Sequence, residues 1–185
     1  GDFEEHIALL RSIDAPATEV RTADQLAGVD ALIIPGGEST TMAKLMDVYG
    51  LRAPIVDFAR AGKPVWGTCA GMILLADRLV EPEPDPLHLM DATVQRNAFG
   101  RQVDSFEADI DLAGIAGGPF HAVFIRAPWV VEAGPRVDVL ARLGDGSIVA
   151  VRQGNLLATA FHPELTPDAR VHRYFVEMAA LETPA

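Results

Sequence analysis

A strand-like apolar run ends in Gly67-Thr68-Cys69-Ala70-Gly71, and a helix-like apolar run, residues 72–75, follows at once. This is the pattern of a nucleophile elbow with cysteine in place of serine. A sharp turn from strand to helix crowds the backbone, and glycines on either side of the central residue relieve that crowding. The free N–H groups at the start of the helix favour a thiolate. The motif therefore predicts a strand-turn-helix unit and covalent acyl chemistry at Cys69.

A second apolar run, residues 156–161, breaks at His162-Pro163-Glu164. Pro163 prevents a strand from continuing, so the run is predicted to be a buried strand that delivers His162 at its end. Residues two apart on an extended segment point to the same side, so Glu164 can accept a hydrogen bond from the imidazole and fix its tautomer. Cys69, His162 and Glu164 are therefore the predicted catalytic triad.

A third apolar strand, residues 31–34, leads into Pro35-Gly36-Gly37 before a helix begins. Glycines at such a turn let backbone N–H groups approach a ligand closely, which suits an oxyanion hole for acyl transfer. The predicted donors are the N–H groups of Gly37 and Ala70.

Together these motifs resemble the class I, or triad, glutamine amidotransferases. Five segments narrow the resemblance to the glutaminase subunits of pyridoxal 5′-phosphate synthase: residues 35–41, 67–71, 96–107, 124–128 and 161–166. The triad motifs are shared by many amidotransferases, whereas segments 96–107 and 124–128 separate this subfamily from the others.

The resemblance implies an α/β fold of three layers, with a mostly parallel, flavodoxin-like central sheet, helices on both faces and an antiparallel extension. It implies that L-glutamine is hydrolysed to glutamate and ammonia, and that a synthase subunit uses the ammonia to build pyridoxal 5′-phosphate. Cys69 would be the nucleophile, His162 the general base and acid, and Glu164 its orienting partner. Neither a cofactor nor a metal is implied.

The resemblance also assigns glutamine binding to six residues: Gly37, Glu38, Ser39, Arg96, Ile125 and Arg126. A guanidinium offers a planar fork of donors for the α-carboxylate of glutamine. Either arginine can serve, and the sequence leaves the choice open. The resemblance further implies that the isolated chain is weakly active, because Gly36 and Gly37 must reorient when the complex forms.

Three alternative functions are consistent with these motifs. The chain could be a glutaminase that feeds another acceptor, such as imidazole glycerol phosphate synthase or anthranilate synthase. It could be a thiol peptidase or stress-protein relative with an elbow cysteine. It could be a non-catalytic regulatory subunit, although an intact triad counts against that reading, since loss of a triad residue costs about ten thousand-fold or more in rate.

Composition favours one globular domain over residues 1–185, with 49% hydrophobic and 22% charged residues. The net charge of −11 argues against a nucleic-acid surface. No segment approaches the ~20 apolar residues of a membrane span, and a single cysteine fits a reducing compartment, so a cytoplasmic location is expected. Related proteins begin with an additional short strand before the glycine that matches Gly1, and we expect the native protein to have it.

Hydrophobic periodicity predicts an amphipathic helix over Asp2–Ile13 and strand-then-helix units over Val29–Met46 and Val65–Leu79. Short strands are predicted over Ala122–Ile125, Val137–Leu143 and Ile148–Val151, followed by a helix over Asp168–Leu181. The acidic, proline-rich segment 81–86 is predicted to be a solvated loop. The remaining histidines lack a surrounding motif and are predicted to be surface or packing residues: His6, His88, His121 and His172.

Overall fold

The computed structural model describes residues 2–97 and 105–181. The helices are α1 (Phe3–Ser12), α2 (Ala23–Ala27), α3 (Ser39–Val48), α4 (Arg52–Arg60), α5 (Ala70–Leu75) and α6 (Arg170–Leu181), with a 3₁₀ turn at Pro163–Leu165. The strands are β1 (Leu32–Ile34), β2 (Val65–Thr68), β3 (Ala76–Leu79), β4 (Met90–Gln95), β5 (Ser105–Ile110), β6 (Phe120–Ile125), β7 (Trp129–Ala133), β8 (Asp138–Arg142), β9 (Ile148–Gln153) and β10 (Leu156–Thr159).

The central sheet has the strand order β1-β2-β10-β9-β7-β4-β3, and β8 pairs with β9. The pairs β1/β2, β2/β10 and β3/β4 are parallel. Strands β7, β8 and β9 join through antiparallel pairs and form the predicted antiparallel extension. A separate antiparallel ribbon, β5/β6, lies beside the sheet. The sites predicted at Gly36–Gly37, Cys69 and His162 all follow the carboxyl ends of the parallel strands β1, β2 and β10, where active sites of open α/β sheets lie.

Neighbouring residues of β2 show how the helices divide between the two faces of the sheet. The Trp66 ring packs against His172 and Phe175 of α6. The next residue, Gly67, faces the backbone of α5. Because successive residues of a strand point to opposite faces, α6 and α5 cover opposite sides of the sheet. The predicted three-layer α/β architecture is therefore present.

Most predicted elements occur close to their expected bounds, with one clear difference. The apolar pattern over Val65–Leu79 predicts one strand and one helix, yet the helix ends at Leu75 and β3 begins at Ala76. Ala76 has an extended backbone, with ψ 152°, and the residues after it pair with β4. Apolar spacing cannot separate a short buried helix from a strand that continues it, which is why the boundary is missed.

The segment 81–86 also differs from a purely solvated loop. Glu83 and Asp85 are exposed, but Pro84 and Pro86 are buried. The carboxylate of Glu81 accepts from the backbone N–H of Arg96, and the carbonyl of Glu83 accepts from its guanidinium at 2.7 Å. The loop therefore holds one of the predicted glutamine-binding residues. Within the ranges that the structure describes, no helix has both the length and the apolarity to cross a membrane.

A groove of about 830 Å³ lies beside β1, the last strand at its end of the described sheet. Phe3, Ile7 and Leu10 of α1 line it, as expected for the apolar face of that helix, together with Val176 of α6. Its position against the edge of β1 is where a further strand would lie. The expectation of such a strand stays a prediction.

The elbow depends on backbone packing that leaves no room for side chains. A Cβ atom on Gly67 would overlap the backbone of Gly71, and one on Gly71 would overlap the carbonyl oxygen of Ile34. These contacts seat α5 directly against β1 and β2. The sequence-based reason for both glycines is therefore confirmed.

We predict that Gly71→Ala destabilises the fold by about 3 kcal/mol, the upper range for overpacking, because the obstacle is backbone rather than a flexible side chain. Denaturant unfolding followed by circular dichroism measures the change. Gly144→Ala is the matched control, since a Cβ there meets nothing within 4 Å. Equal stability of the two variants would contradict the packing argument.

Candidate active site

Cys69 occupies the turn between β2 and α5. Its φ of 49° and ψ of −104° are strained for a residue with a side chain, and such strain is typical of a functional position. Its backbone N–H donates to the carbonyl of Thr159 at 2.8 Å, which ties the turn to the end of β10. The side chain is buried, and Sγ lies 3.8 Å from the carbonyl oxygen of Ile125.

His162 and Glu164 follow β10 as the sequence predicts. The Nδ1 of His162 lies 2.7 Å from Oε1 of Glu164, whose side chain is 0% exposed. The backbone N–H of His162 donates to the carbonyl of Val123, so β6 also fixes its position. Cys69 and Glu164 both act on the pKa of His162, so the structure brings the three predicted residues together around the imidazole.

The electrostatics of His162 indicate a charged pair. Burial alone would lower the pKa of its imidazole, but hydrogen bonds to Cys69 and Glu164 outweigh burial and raise that pKa from 6.5 to about 10. A raised pKa means that the charged form is stabilised fully below pH 6.5, and that this stabilisation is lost as the pH rises through about 10. At neutral pH the imidazole of His162 is therefore an imidazolium.

The glycine loop after β1 lies against the imidazole. A Cβ on Gly36 would come within 2.6 Å of Cε1 of His162, so only glycine fits beside the ring. Gly37 follows with φ 152°, a conformation that favours glycine. Ala70 opens α5, where the first N–H groups of a helix lack acceptors within it. Gly37 and Ala70 thus flank the triad, and their role as oxyanion donors stays a prediction.

Glu38 and Arg96 meet at the start of α3. The carboxylate of Glu38 accepts from the backbone N–H groups of Thr40 and Thr41 at 3.1 and 2.7 Å. Hydrogen bonds from Thr41 and Thr40 lower the pKa of Glu38 from 4.5 to about 2. The Arg96 guanidinium lies 3.5 Å from Glu38, and Ser39 is buried beside them. The Arg96 guanidinium and the Glu38 carboxylate therefore lie side by side. Binding a zwitterionic amino acid requires one group of each charge, a cation for its carboxylate and an anion for its ammonium.

Ile125 and Arg126 lie at the end of β6. The carbonyl of Ile125 faces the thiol of Cys69, and Arg126 is exposed with φ 43°. Part of the segment 96–107 that singles out the subfamily, residues 98–104, lies outside the described residues. The choice between Arg96 and Arg126 as the carboxylate-binding residue stays open.

Two residues near the triad, Asp2 and His6, were not predicted to lie there. Asp2 places Oδ2 3.6 Å from Nδ1 of His162. His6 places Nε2 3.4 Å from Oε2 of Glu164 and 3.4 Å from Oγ1 of Thr68. The position of His6 in the sequence does indicate burial, because it falls between Phe3 and Leu10 on the apolar face of α1. A histidine on such a face is buried and needs hydrogen-bond partners.

Asp2, His162 and Glu164 each offer one ligand atom, and these atoms lie within 4.8 Å of one another. Such a trio could in principle hold a metal ion. However, Nδ1 of His162 and Oε1 of Glu164 are already joined by a hydrogen bond. The closeness of these three residues is therefore explained by hydrogen bonding that orients His162.

The sequence matches the SNO glutamine amidotransferase family over residues 1–181. The chain belongs to this family. One relative, pyridoxal 5′-phosphate synthase subunit PdxT of Acidothermus cellulolyticus, is 59% identical over 188 residues, covering 98% of this chain and 91% of the relative. The PdxT subunit of Dehalococcoides mccartyi is 60% identical over 181 residues, covering 97% of this chain and 93% of the relative.

Solved structures share the fold of this chain. A crystal structure described as glutamine amidotransferase has a TM-score of 0.92 and 51% identity, covering 97% of this chain and 95% of that chain. PurLQS from Thermotoga maritima has a TM-score of 0.70 at 16% identity, covering 94% and 91% respectively, and shows the shared fold alone. The predicted fold class and family are confirmed.

We predict that the buried histidines make the SNO-family chain less stable in acid. Burial lowers the pKa of His172 to about 4, so below pH 6.5 the unfolded chain binds a proton that the folded chain refuses, and stability falls with pH. His172→Gln should flatten the dependence of unfolding free energy on pH between about 6 and 4.5, by up to about 1.4 kcal/mol per pH unit.

Denaturant unfolding at several pH values measures this slope. His121→Gln is the matched control, because exposed Asp109 and Glu107 raise the pKa of His121 and its stabilisation is lost toward high rather than low pH. An unchanged acid slope in His172→Gln, or a similar flattening in the control, would refute the prediction.

Proposed function

We propose that the chain hydrolyses L-glutamine to L-glutamate and ammonia, and delivers the ammonia to the synthase subunit of a pyridoxal 5′-phosphate synthase. The observation that carries the chemistry is the alignment of Cys69, His162 and Glu164 in a member of a glutamine amidotransferase family. The choice of acceptor rests on relatives 59% and 60% identical that are named as subunits of that synthase.

In the first half of the reaction the thiolate of Cys69 attacks the carboxamide carbon of glutamine. The developing negative charge on the oxygen is stabilised by the N–H groups of Gly37 and Ala70. His162, already protonated, gives its proton to the departing nitrogen, the carbon–nitrogen bond breaks, and ammonia leaves. A thioester on Cys69 remains.

In the second half, neutral His162 takes a proton from water as the water oxygen attacks the thioester. The carbon–sulfur bond breaks, glutamate forms, and the thiolate and imidazolium are restored. Glu164 keeps the imidazole oriented throughout, because its hydrogen bond at Nδ1 leaves the opposite nitrogen facing Cys69.

Glutamine is held by Glu38, Ser39 and one arginine, with the carbonyl of Ile125 and the backbone of Gly37 beside the reacting carbon. The pairing of Arg96 with Glu38 supports this, since the two charges match the carboxylate and ammonium of a free amino acid. Arg126, exposed at the end of β6, is the other candidate for the carboxylate.

Ammonia is mostly ammonium in neutral water and must reach its acceptor sheltered from solvent. The site is therefore expected to face the synthase subunit, and Gly36 and Gly37 to reorient when that subunit binds. A cytoplasmic location fits, because the thiol of Cys69 must remain reduced. The net charge of −11 disfavours a nucleic-acid partner.

The other readings are less well supported. Membership of a glutamine amidotransferase family argues against a thiol peptidase, and the aligned triad argues against a regulatory subunit. The names of the relatives favour pyridoxal 5′-phosphate synthase over imidazole glycerol phosphate or anthranilate synthase as the acceptor.

We predict that glutamate release from glutamine appears when the synthase subunit is added, and falls by about ten thousand-fold or more in Cys69→Ala. A coupled glutamate assay with and without the synthase subunit measures both effects. Cys69→Ala should keep its circular dichroism spectrum and its affinity for the synthase subunit, which separates lost chemistry from lost assembly. Full turnover by Cys69→Ala would exclude the mechanism, and strong release without the partner would exclude the requirement for complex formation.

We predict that Arg96→Gln raises the KM for glutamine about tenfold with a smaller change in kcat, because it removes a charge that contacts substrate rather than the reacting bond. Steady-state kinetics in the complex measure the two constants. Arg142→Gln is the control. The guanidinium of Arg142 donates to the carbonyl of Gly146, four residues away, and not to a residue of the candidate site. An unchanged KM in Arg96→Gln would indicate that Arg126 binds the α-carboxylate of glutamine instead. The variant Arg126→Gln tests that assignment.

A further inference from the structure

The triad leaves the second carboxylate oxygen of Glu164, Oε2, without a hydrogen-bond donor. The Glu164 side chain is 0% exposed, and Oε1 is used by His162. Its Oε2 has no hydrogen-bond partner of good geometry among the described residues. A buried carboxylate oxygen without a donor is costly, and a carboxylate free to rotate would orient His162 poorly.

His6 provides a donor beside that oxygen. Its Nε2 lies 3.4 Å from Oε2 of Glu164 and 3.4 Å from Oγ1 of Thr68, so a proton on that nitrogen has two oxygen atoms within reach. The residue is 3% exposed, and its ring packs edge-on against Trp66 at 5.6 Å. The ring is therefore held in place by packing as well as by polar contacts.

The contacts of the neighbouring histidine select one tautomer of His6. A carboxylate only accepts, so a His6 that serves Glu164 carries its proton on Nε2 and has a bare acceptor at Nδ1. That acceptor lies 2.9 Å from Nε2 of His172, which must then donate. This leaves the bare nitrogen of His172 at Nδ1, which is the atom of that ring without a partner in the part of the chain that the structure describes.

We propose that His6 is a positioning residue for the triad: its Nε2–H, set by the donor at His172, holds the Glu164 carboxylate in the orientation that aligns His162 with Cys69. The polar chain runs from His172 of α6 through His6 of α1 and Glu164 of the 3₁₀ turn to His162. His6 touches neither substrate nor the reacting atoms and acts through Glu164.

A neutral donor suits this position. Burial and the neighbouring His172 and His162 lower the pKa of His6 from 6.5 to about 3, so it stays uncharged at neutral pH. A charged group here would compete with His162 for the negative charge of Glu164 and weaken the imidazolium. His6 can therefore steady the carboxylate without neutralising it.

The test compares His6→Met with His6→Gln, two side chains of similar length, of which only glutamine offers a donor at the ε position.

Because the inference rests on the proposed glutaminase activity, two readouts are used. The first is kcat and KM for glutamate release by the complex. The second is the rate of Cys69 alkylation by iodoacetamide, followed by mass spectrometry, which needs no glutamine. Phe175→Leu, which loosens packing on Trp66, controls for destabilisation.

We expect His6→Met to lower kcat tenfold to hundredfold, the usual effect of removing the partner of an orienting group, with KM within about twofold. Alkylation should slow in parallel. His6→Gln should retain most of both rates, and Phe175→Leu should keep kcat. If His6→Met unfolds, His6→Asn, whose amide is too short to reach Glu164, takes its place.

Equal losses in His6→Met and His6→Gln, or a wild-type kcat in His6→Met, would overturn the proposal. A loss confined to KM would also overturn it, because positioning of the triad acts on the chemical step. If the wild-type complex released no glutamate, the proposed function would fail, while the alkylation rates would still decide the role of His6.

Discussion

The contact between the Gly71 backbone and the carbonyl oxygen of Ile34 is the constraint on which the site depends. It lets α5 lie against β1, so the elbow at Cys69 sits beside the loop that follows β1. Gly36 in that loop can then reach the imidazole of His162. Three motifs that are far apart in sequence thus meet because two backbone segments approach without side chains between them.

Burial of charge is the second determinant of the site. The imidazolium of His162 and the carboxylate of Glu164 form a buried pair, and such a pair needs hydrogen bonds on its remaining polar atoms. His6 and His172 are the polar members of the aromatic cluster behind the triad, and in the arrangement proposed above His6 supplies a donor to Glu164. Trp66 and Phe175 pack around these two rings as part of the core.

Sequence reasoning predicted the features that lie within single segments. The glycines of the elbow, the spacing of His162 and Glu164, and the loop before α3 each express a local geometric rule, and the structure has them where expected. The partner of Glu164 on α1 was missed because its position depends on how α1 docks on the sheet. The role of segment 81–86 in holding Arg96 was missed for the same reason, since composition indicates exposure but does not reveal a contact made by the backbone carbonyl of Glu83.

The polar chain from His162 to His172 draws on segments from both ends of the domain. Residue 6 is synthesised early and residue 172 late, so the ribosome must release almost the whole domain before this chain of contacts can close. In the proposed mechanism, Cys69 would lack the imidazolium that activates it until then. An emerging polypeptide would therefore carry an unactivated thiol, and the reactive group would arise only when the tertiary structure is complete.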